Sequence, residues 1–210
     1  MSSLDELAAS AVALRSSVTE ARPVLLGITG PPGSGKSTLT TALHSVLTSW
    51  SVIEMDGFHL SNEVLVYLGR RDRKGAPDTF DVDGFVALLQ RAASNASGVI
   101  YGPRFVREIE QPISGSLPIR GDSPGILVEG NYLLLDSDGW ERVGPMLDTT
   151  WYVDTPAEEC HARLVARATL TYGPIEGLRW VDKVDEPNAT IVRASAPRAS
   201  CRVVLDRLTR

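Results

Sequence analysis

Residues 30–37 read GPPGSGKS and constrain this chain more than any other segment. They fit the pattern Gly-x-x-x-x-Gly-Lys-Ser/Thr, and the apolar run VLLGI at 24–28 stands directly before them. Glycines allow backbone N–H groups to turn towards phosphate oxygens, and a helix after the loop adds the positive end of its dipole. A glycine turn beside a surface lysine is the alternative, which the preceding strand disfavours. The segment predicts a site for a nucleoside triphosphate.

Each residue type in this loop has a specific task. We expect Lys36 to reach the outer phosphates and the Ser37 hydroxyl to ligate Mg²⁺. The residues predicted to bind the nucleotide from this segment are Gly30, Pro31, Pro32, Gly33, Ser34, Gly35, Lys36, Ser37 and Thr38.

Composition excludes several other classes of protein. A chain of 210 residues that is 43% hydrophobic can bury one core, so we predict a single domain over residues 1–210. The net charge of −5 argues against nucleic acid or an anionic membrane as partner. Cys160 and Cys201 have neither metal-like nor redox spacing, which favours free thiols in a reducing compartment. No signal peptide is recognisable at the start, and no apolar run approaches the roughly 20 residues of a membrane span. We therefore expect a cytoplasmic protein.

Helical and strand patterns alternate along the chain. Helices are predicted over 3–20, 36–48, 61–68, from Asp81 or Asp83 to 90–95, 156–170 and 175–194. Strands are predicted over 24–29, 51–55, 126–128, 149–153 and 203–205, with a strand-rich connection over 99–120 that is broken at Pro103, Pro112 and Pro118. This alternation predicts an α/β P-loop fold with a parallel central sheet, helices on both faces and the ligand at the carboxyl edge of the strands.

Acidic residues follow three of the predicted strands. Asp56 follows VIEM, Glu129 follows ILV and Asp154 follows WYV. Because such strand ends converge on the phosphate site, one carboxylate could hold Mg²⁺ or its water shell while another takes a proton from an acceptor hydroxyl. Acids that only cap strand ends before turns are the alternative. We expect Asp56 and Glu129 to act together.

Four segments, in one order, resemble a known superfamily. GITGPPGSGKSTL, MDGFHLSN, RKGAPDTFD and ILVEGNYLLL are similar to motifs of the phosphoribulokinase, uridine kinase and bacterial pantothenate kinase superfamily. The resemblance covers about residues 22–205. It is closest to a bacterial nucleoside/nucleotide kinase-like subgroup, some members of which are named fructose-transport-associated kinases or fructokinases.

The resemblance implies roles for particular residues. Asp56 matches the catalytic base, and Glu129 matches the acid that supports Mg²⁺. Arg163 and Arg167 match the arginines of a lid at about 164–180 that clamps the transferring phosphoryl group, although a solvated helix face would have the same spacing. Residues matching the acceptor-binding segment are Arg73, Lys74, Asp78 and Asp81, although RRDRKG could equally be an exposed loop.

Further acceptor and nucleotide contacts follow from the same resemblance. Tyr101, Phe105 and Arg107 match a region that contacts the acceptor, with Glu110 and Gln111 behind, or they belong to a β-ribbon held by its own aromatic packing. His59 could bind substrate hydroxyls or be satisfied locally. Asn188 matches a residue near the nucleotide base.

Departures from the family's motifs weaken the case for pantothenate and for uridine as the acceptor. The chain is much shorter than pantothenate kinases, and it has Ala76-Pro77 where uridine kinases have a histidine. A GTPase is the main rival, because Asp136-x-x-Gly139 and the segment DKVD at 182–185 stand in the order of its motifs. Position 182, however, carries Asp where a guanine reader needs Asn or Thr. A non-catalytic nucleotide-binding regulator is the third class.

These observations favour an ATP-dependent kinase that phosphorylates a hydroxyl of a small metabolite. ATP and Mg²⁺ are the expected cofactors, and a sugar such as fructose is the first candidate acceptor. A uridine, other nucleoside or pantothenate-type acceptor is the alternative. The sequence does not fix the oligomeric state, and a homodimer is compatible with it.

Overall fold

We describe a computed structural model that covers residues 3–18, 22–94 and 98–205. The predicted helical residues 19, 20 and 95 lie outside these ranges. Among the helices in the described part of the chain, none combines the length and the apolar character needed to cross a bilayer.

The centre of the fold is a five-stranded sheet in which every neighbouring pair is parallel. Its strands in chain order are β1 Val24–Thr29, β2 Ser51–Glu54, β5 Gly125–Glu129, β6 Thr149–Val153 and β7 Cys201–Val203. Their spatial order is β2-β5-β1-β6-β7, which places the strand before the glycine loop in the middle. The predicted α/β fold with a parallel sheet is confirmed.

Helices connect these strands, mostly within one or two residues of the predicted ends. They are α1 Leu4–Ser17, α2 Lys36–Val46, α3 Asn62–Tyr67, α4 Val82–Ala93, α5 Ala157–Tyr172, α6 Pro174–Trp180 and α7 Glu186–Ser195. One difference lies between α6 and α7, where Val181–Asp185 forms a π-helical segment inside the predicted continuous helix. Such segments are frequent at functional sites because they redirect side chains.

A β-hairpin stands apart from the central sheet. Its strands β3 Val99–Val106 and β4 Gln111–Arg120 pair in an antiparallel fashion and continue through all three prolines. The predicted breaks at these prolines were therefore wrong. Both strands of a two-stranded ribbon are edge strands, where a missing N–H need not cost a ladder hydrogen bond, and Pro103 lies at the irregularity in register between Gly102 and Arg104.

Two hydrophobic cores cover the two faces of the central sheet. On β1, Val24, Leu26 and Ile28 belong to the core that includes α1 and α2, whereas Leu25, between the first two, belongs to the core that includes α4 and α7. Alternate residues of a strand point to opposite faces, so a fully buried strand such as β1 must be covered on both sides. The predicted placement of helices on both faces is confirmed.

Candidate active site

The glycine loop links β1 to α2 at the carboxyl edge of the sheet. Gly33 and Gly35 have φ angles of +79° and +92°, which L side chains rarely adopt. A Cβ atom on Gly33 would lie 2.6 Å from the backbone oxygen of Cys160, so the loop can pass α5 only without a side chain there. The Ser34 hydroxyl is buried and has no hydrogen-bond partner among the described residues. A loop of this shape, opening onto the N-terminus of α2, fits phosphate groups.

A cleft of about 930 Å³ opens in front of this loop. One wall, which we call the loop side, consists of Pro32, Gly33, Gly35, Lys36, Ser37 and Thr38. The opposite wall, which we call the hairpin side, consists of Asp56, His59, Lys74, Phe80, Phe105 and Arg107. Arg163, Arg167 and Asn188 also line the cleft. Most of the sequence-predicted site residues therefore lie around one cavity.

Glu129 lies beside Lys36, the lysine predicted to bind phosphate. It pairs in register with Ile28 of β1 and Glu54 of β2, and its Oε1 is 3.8 Å from Nζ of Lys36. Burial raises the pKa of Glu129 to about 7, although the Lys36 ammonium and the Ser37 hydroxyl oppose this shift. A buried carboxylate next to a serine hydroxyl is a donor set that suits Mg²⁺, so the residues present fit the predicted ion.

Asp56 lies just beyond β2, in a 3₁₀ turn over Met55–Phe58. It lines both the main cleft and an adjoining groove of about 540 Å³ that Glu129 also lines. Its Oδ2 is 4.0 Å from Nη2 of Arg107, whose side chain is 60% exposed. The Asp56 carboxylate is therefore open to the cavity, with the Arg107 guanidinium beside it.

The aromatic rings of the hairpin side surround His59. The His59 ring lies 4.0 Å from the Phe80 ring and 4.9 Å from the Phe105 ring, measured between centroids. Burial lowers the pKa of His59, and its Nδ1 lies 2.9 Å from the backbone oxygen of Asp56. In a neutral ring this contact makes Nδ1 the donor and leaves Nε2 as an acceptor. His59 thus has a local partner and a second nitrogen free to meet a hydroxyl.

Helices α5 and α6 form a hairpin at the other end of the cleft. Gly177 packs so closely that a Cβ atom would lie 2.7 Å from the backbone of Ala168. Leu164, Ala168 and Val181 form a small core of their own, separate from the two cores of the sheet. A satellite core of this kind favours an element that can move as a unit.

Arg163 and Arg167 lie one turn apart on α5 and face the cleft. Nη1 of Arg163 donates to the backbone oxygen of Gly33 at 3.1 Å, and its guanidinium also pairs with Glu159. Arg167 stabilises the charged form of Asp185, whose pKa burial raises. Both arginines therefore lie where phosphates on the loop would meet them.

Four residues predicted to bind the acceptor do not line the cleft. Asp81 caps α4 by accepting a hydrogen bond from the Gly84 amide at 2.9 Å. Asp78 and Arg73 pair with each other at 2.7 Å, and both side chains are partly exposed. Tyr101 is 59% exposed and lies opposite Pro118 on the hairpin. The three charged side chains thus have local partners and Tyr101 is exposed, and the role of all four in acceptor binding stays a prediction.

The structure also brings in residues that the sequence did not single out. Asn131 lines the cleft, and its buried Oδ1 has no hydrogen-bond partner among the described residues. The sequence could have indicated Asn131 as a site residue by its position two residues after Glu129. Asp185 also lines the cleft. It lies at the end of the π-helical segment, which the sequence pattern did not predict. By contrast, Asp154 pairs with Arg202 at 3.3 Å and does not line the cleft.

Comparison with known proteins identifies the family. No family model matches the chain. The chain is, however, 31% identical over 208 residues to a Schizosaccharomyces pombe protein provisionally named as a uridine kinase, and the match covers 91% of this chain and 86% of that one. The chain belongs to the phosphoribulokinase, uridine kinase and pantothenate kinase superfamily.

Two further relatives match most of this chain. A crystal structure from Silicibacter sp. TM1040, provisionally named as a fructose transport system kinase, has a TM-score of 0.87 and 31% identity over 97% of this chain and all of that one. The uncharacterized Escherichia coli protein YggC is 33% identical over 156 residues, which are 71% of this chain and 64% of YggC. The chain spans about half the length of the pantothenate kinases it matches.

Membership of this superfamily also bears on the GTPase alternative. Asp136, from the first GTPase-like motif, pairs with Arg198 at 2.9 Å and does not line the cleft. The motif residues around Asp56 and Lys74, which a GTPase leaves unexplained, do line it. The GTPase interpretation is therefore not supported.

Proposed function

We propose that this protein is an ATP-dependent kinase that transfers the γ-phosphoryl group to a hydroxyl of a small metabolite. The observation that carries this proposal is that Lys36 and Asp56 line the same cleft, while Glu129, 3.8 Å from Lys36, lines the adjoining groove that Asp56 also lines. A passive nucleotide binder has no need of a second, partly exposed carboxylate in the same cleft.

The residues divide the reaction between them. Asp56 orients the acceptor hydroxyl and accepts its proton as the new bond to phosphorus forms. Lys36, Arg163 and Arg167 neutralise the charge that develops on the phosphoryl oxygens, which is most of the catalysis in this chemistry. Ser37 and Glu129 would hold Mg²⁺, which adds positive charge at the phosphates when bound. Asn188 would lie near the nucleotide base.

The α5–α6 hairpin serves as the lid in this proposal. Its separate small core and the contact of Arg163 with the loop support a part that closes over bound nucleotide. Closure would bring both arginines onto the phosphates and exclude water, which protects ATP from simple hydrolysis.

Fructose is the first acceptor to test. Its support is the similarity to the Silicibacter structure, whose provisional name refers to fructose transport. Uridine, other nucleosides and pantothenate are equally consistent with the relatives. The proposal includes action as one catalytic domain in the cytoplasm, without nucleic acid or membrane as partner, and a homodimer is compatible with it.

An ADP-release assay with and without acceptor tests the proposal. We expect slow release from ATP and Mg²⁺ alone and faster release when the matching hydroxylated metabolite is present. The panel contains fructose, other sugars, nucleosides and pantothenate, each with its phosphorylated product checked by mass spectrometry. Release that no member stimulates would contradict the kinase function.

A further inference from the structure

A lysine ammonium is buried on the hairpin side of the cleft. Lys74 is only 8% exposed. Its Nζ donates to Oδ1 of Asn62 at 2.8 Å and to the backbone oxygen of Glu110, and the Phe105 ring centre lies 5.1 Å away. All of these partners are uncharged.

Lys74 differs in this respect from the other two lysines of the chain. Lys36 has the Glu129 carboxylate at 3.8 Å, and Lys183 has the Asp72 carboxylate at 3.1 Å. Among the described residues, no carboxylate lies within 4.0 Å of the Lys74 ammonium. Burying a cation without a counter-ion is costly, so such a group usually has its anion elsewhere.

The surroundings of Lys74 leave room for that anion in the cleft. Burial lowers the pKa of Lys74; the charge of Glu110 opposes this shift and the charge of Arg71 reinforces it. His59 lines the same wall, and burial lowers its pKa. It cannot be the counter-ion of Lys74, because an imidazole carries no negative charge. An ammonium carries three protons, and two are donated within the protein. The third remains for a ligand in the cleft that Lys74 lines.

We propose that the phosphoryl acceptor carries an anionic group, a carboxylate or a phosphate, that binds Lys74 while the acceptor hydroxyl lies at Asp56. This inference rests on the proposed kinase function and narrows its substrate class. Within the sugars it favours a sugar phosphate over free fructose, and outside them it favours a hydroxy acid over a nucleoside. Arg107, exposed at the rim, would meet the same charge from the solvent side.

Matched pairs of acceptors test this inference without any change to the protein. The pairs are fructose and fructose 6-phosphate, glycerol and glycerate, and pantothenyl alcohol and pantothenate. Each pair differs by one anionic group, and the phosphate and carboxylate arms separate the two sources of charge. For at least one pair we expect the charged member to have a kcat/KM for stimulated ADP release at least about tenfold higher, the scale of one charge-assisted hydrogen bond.

Variants of Lys74 then assign the preference to this side chain. Lys74→Met should raise the KM of the charged acceptor about 10- to 100-fold and remove the difference within the pair, whereas Lys74→Arg should retain part of it. Lys183→Met is the matched control, because this lysine is 67% exposed and lies outside the cleft. We expect it to leave the ratio within a pair unchanged.

The outcomes separate the inference from the function on which it rests. Preference for the neutral member of the active pair would overturn the inference while supporting the kinase function. A Lys74→Met variant that slows both members equally would assign Lys74 to the structural link between Asn62 and Glu110 and would also overturn it. Failure of every acceptor to stimulate ADP release would contradict the kinase function, and the inference with it.

Discussion

The loop side of the cleft comes from one continuous segment, residues 30–38, whereas the hairpin side is assembled from residues that are far apart in the sequence. In the proposed function, the loop side would contact the nucleotide largely through backbone groups, in a loop whose shape depends on its glycines. The hairpin side would contact the acceptor through side chains that come from separate segments. A continuous motif can therefore bind the same triphosphate in many proteins, while a side-chain wall can change its acceptor by a few substitutions.

This contrast predicts that damage to the loop side affects nucleotide and acceptor chemistry together. Lys36→Ala should lower kcat/KM about 1000-fold and weaken ATP binding as well, because in the proposed function Lys36 would contact phosphates in both ground and transition states. Titration calorimetry with a non-hydrolysable ATP analogue and the ADP-release assay measure the two effects. Lys183→Ala is the control, and normal ATP binding by Lys36→Ala would refute the assignment of the loop.

The sequence predicts the loop side of the cleft better than the rest of the site. The loop from Gly30 to Thr38 and the strand before it were predictable because the motif and its flanking pattern are local. The capping of α4 by Asp81 was also predictable, because a carboxylate directly before a helical pattern accepts hydrogen bonds from amides of the first turn. Asp185 was missed because its position depends on the π-helical segment, which hydrophobic periodicity does not reveal.

The lid arginines should produce a smaller effect than Lys36 does. Arg163→Ala and Arg167→Ala should each lower kcat about 10- to 100-fold while changing the Kd for ATP by less than about threefold, since a lid contributes mainly in the closed complex. Arg179→Ala is the control, because Arg179 lies on the same helical hairpin, pairs with Glu176 and is 71% exposed. Wild-type kcat in both variants would instead favour a solvated helix face.

The smallest predicted effect concerns the stability contributed by His59. Because burial lowers its pKa below the usual value of 6.5, the unfolded chain binds a proton first as the pH falls. This contribution to stability is fully present above pH 6.5 and is lost as the pH falls below it. Urea unfolding between pH 7.5 and 5.5 should show a shallower pH dependence for His59→Gln than for wild type, by up to about 1 kcal/mol.

A control is needed because other groups titrate in the same range. His44→Gln makes the same substitution at an exposed histidine of α2 that lines the adjoining groove, and it is the matched control. Equal curves for wild type and His59→Gln would mean that the ring is not held neutral on the hairpin side.

The central claim is that Asp56 acts on the acceptor while the loop acts on the nucleotide, and Asp56→Asn tests it most directly. Asparagine retains the shape of aspartate but cannot accept the proton. We expect this variant to bind ATP and Mg²⁺ with wild-type affinity in calorimetry and to lose roughly 100-fold or more in acceptor-stimulated ADP release. Asp154→Asn, which changes an acid at a strand end outside the cleft, should retain both activities. Wild-type acceptor phosphorylation by Asp56→Asn, or a loss of ATP affinity as large as that of Lys36→Ala, would contradict the account.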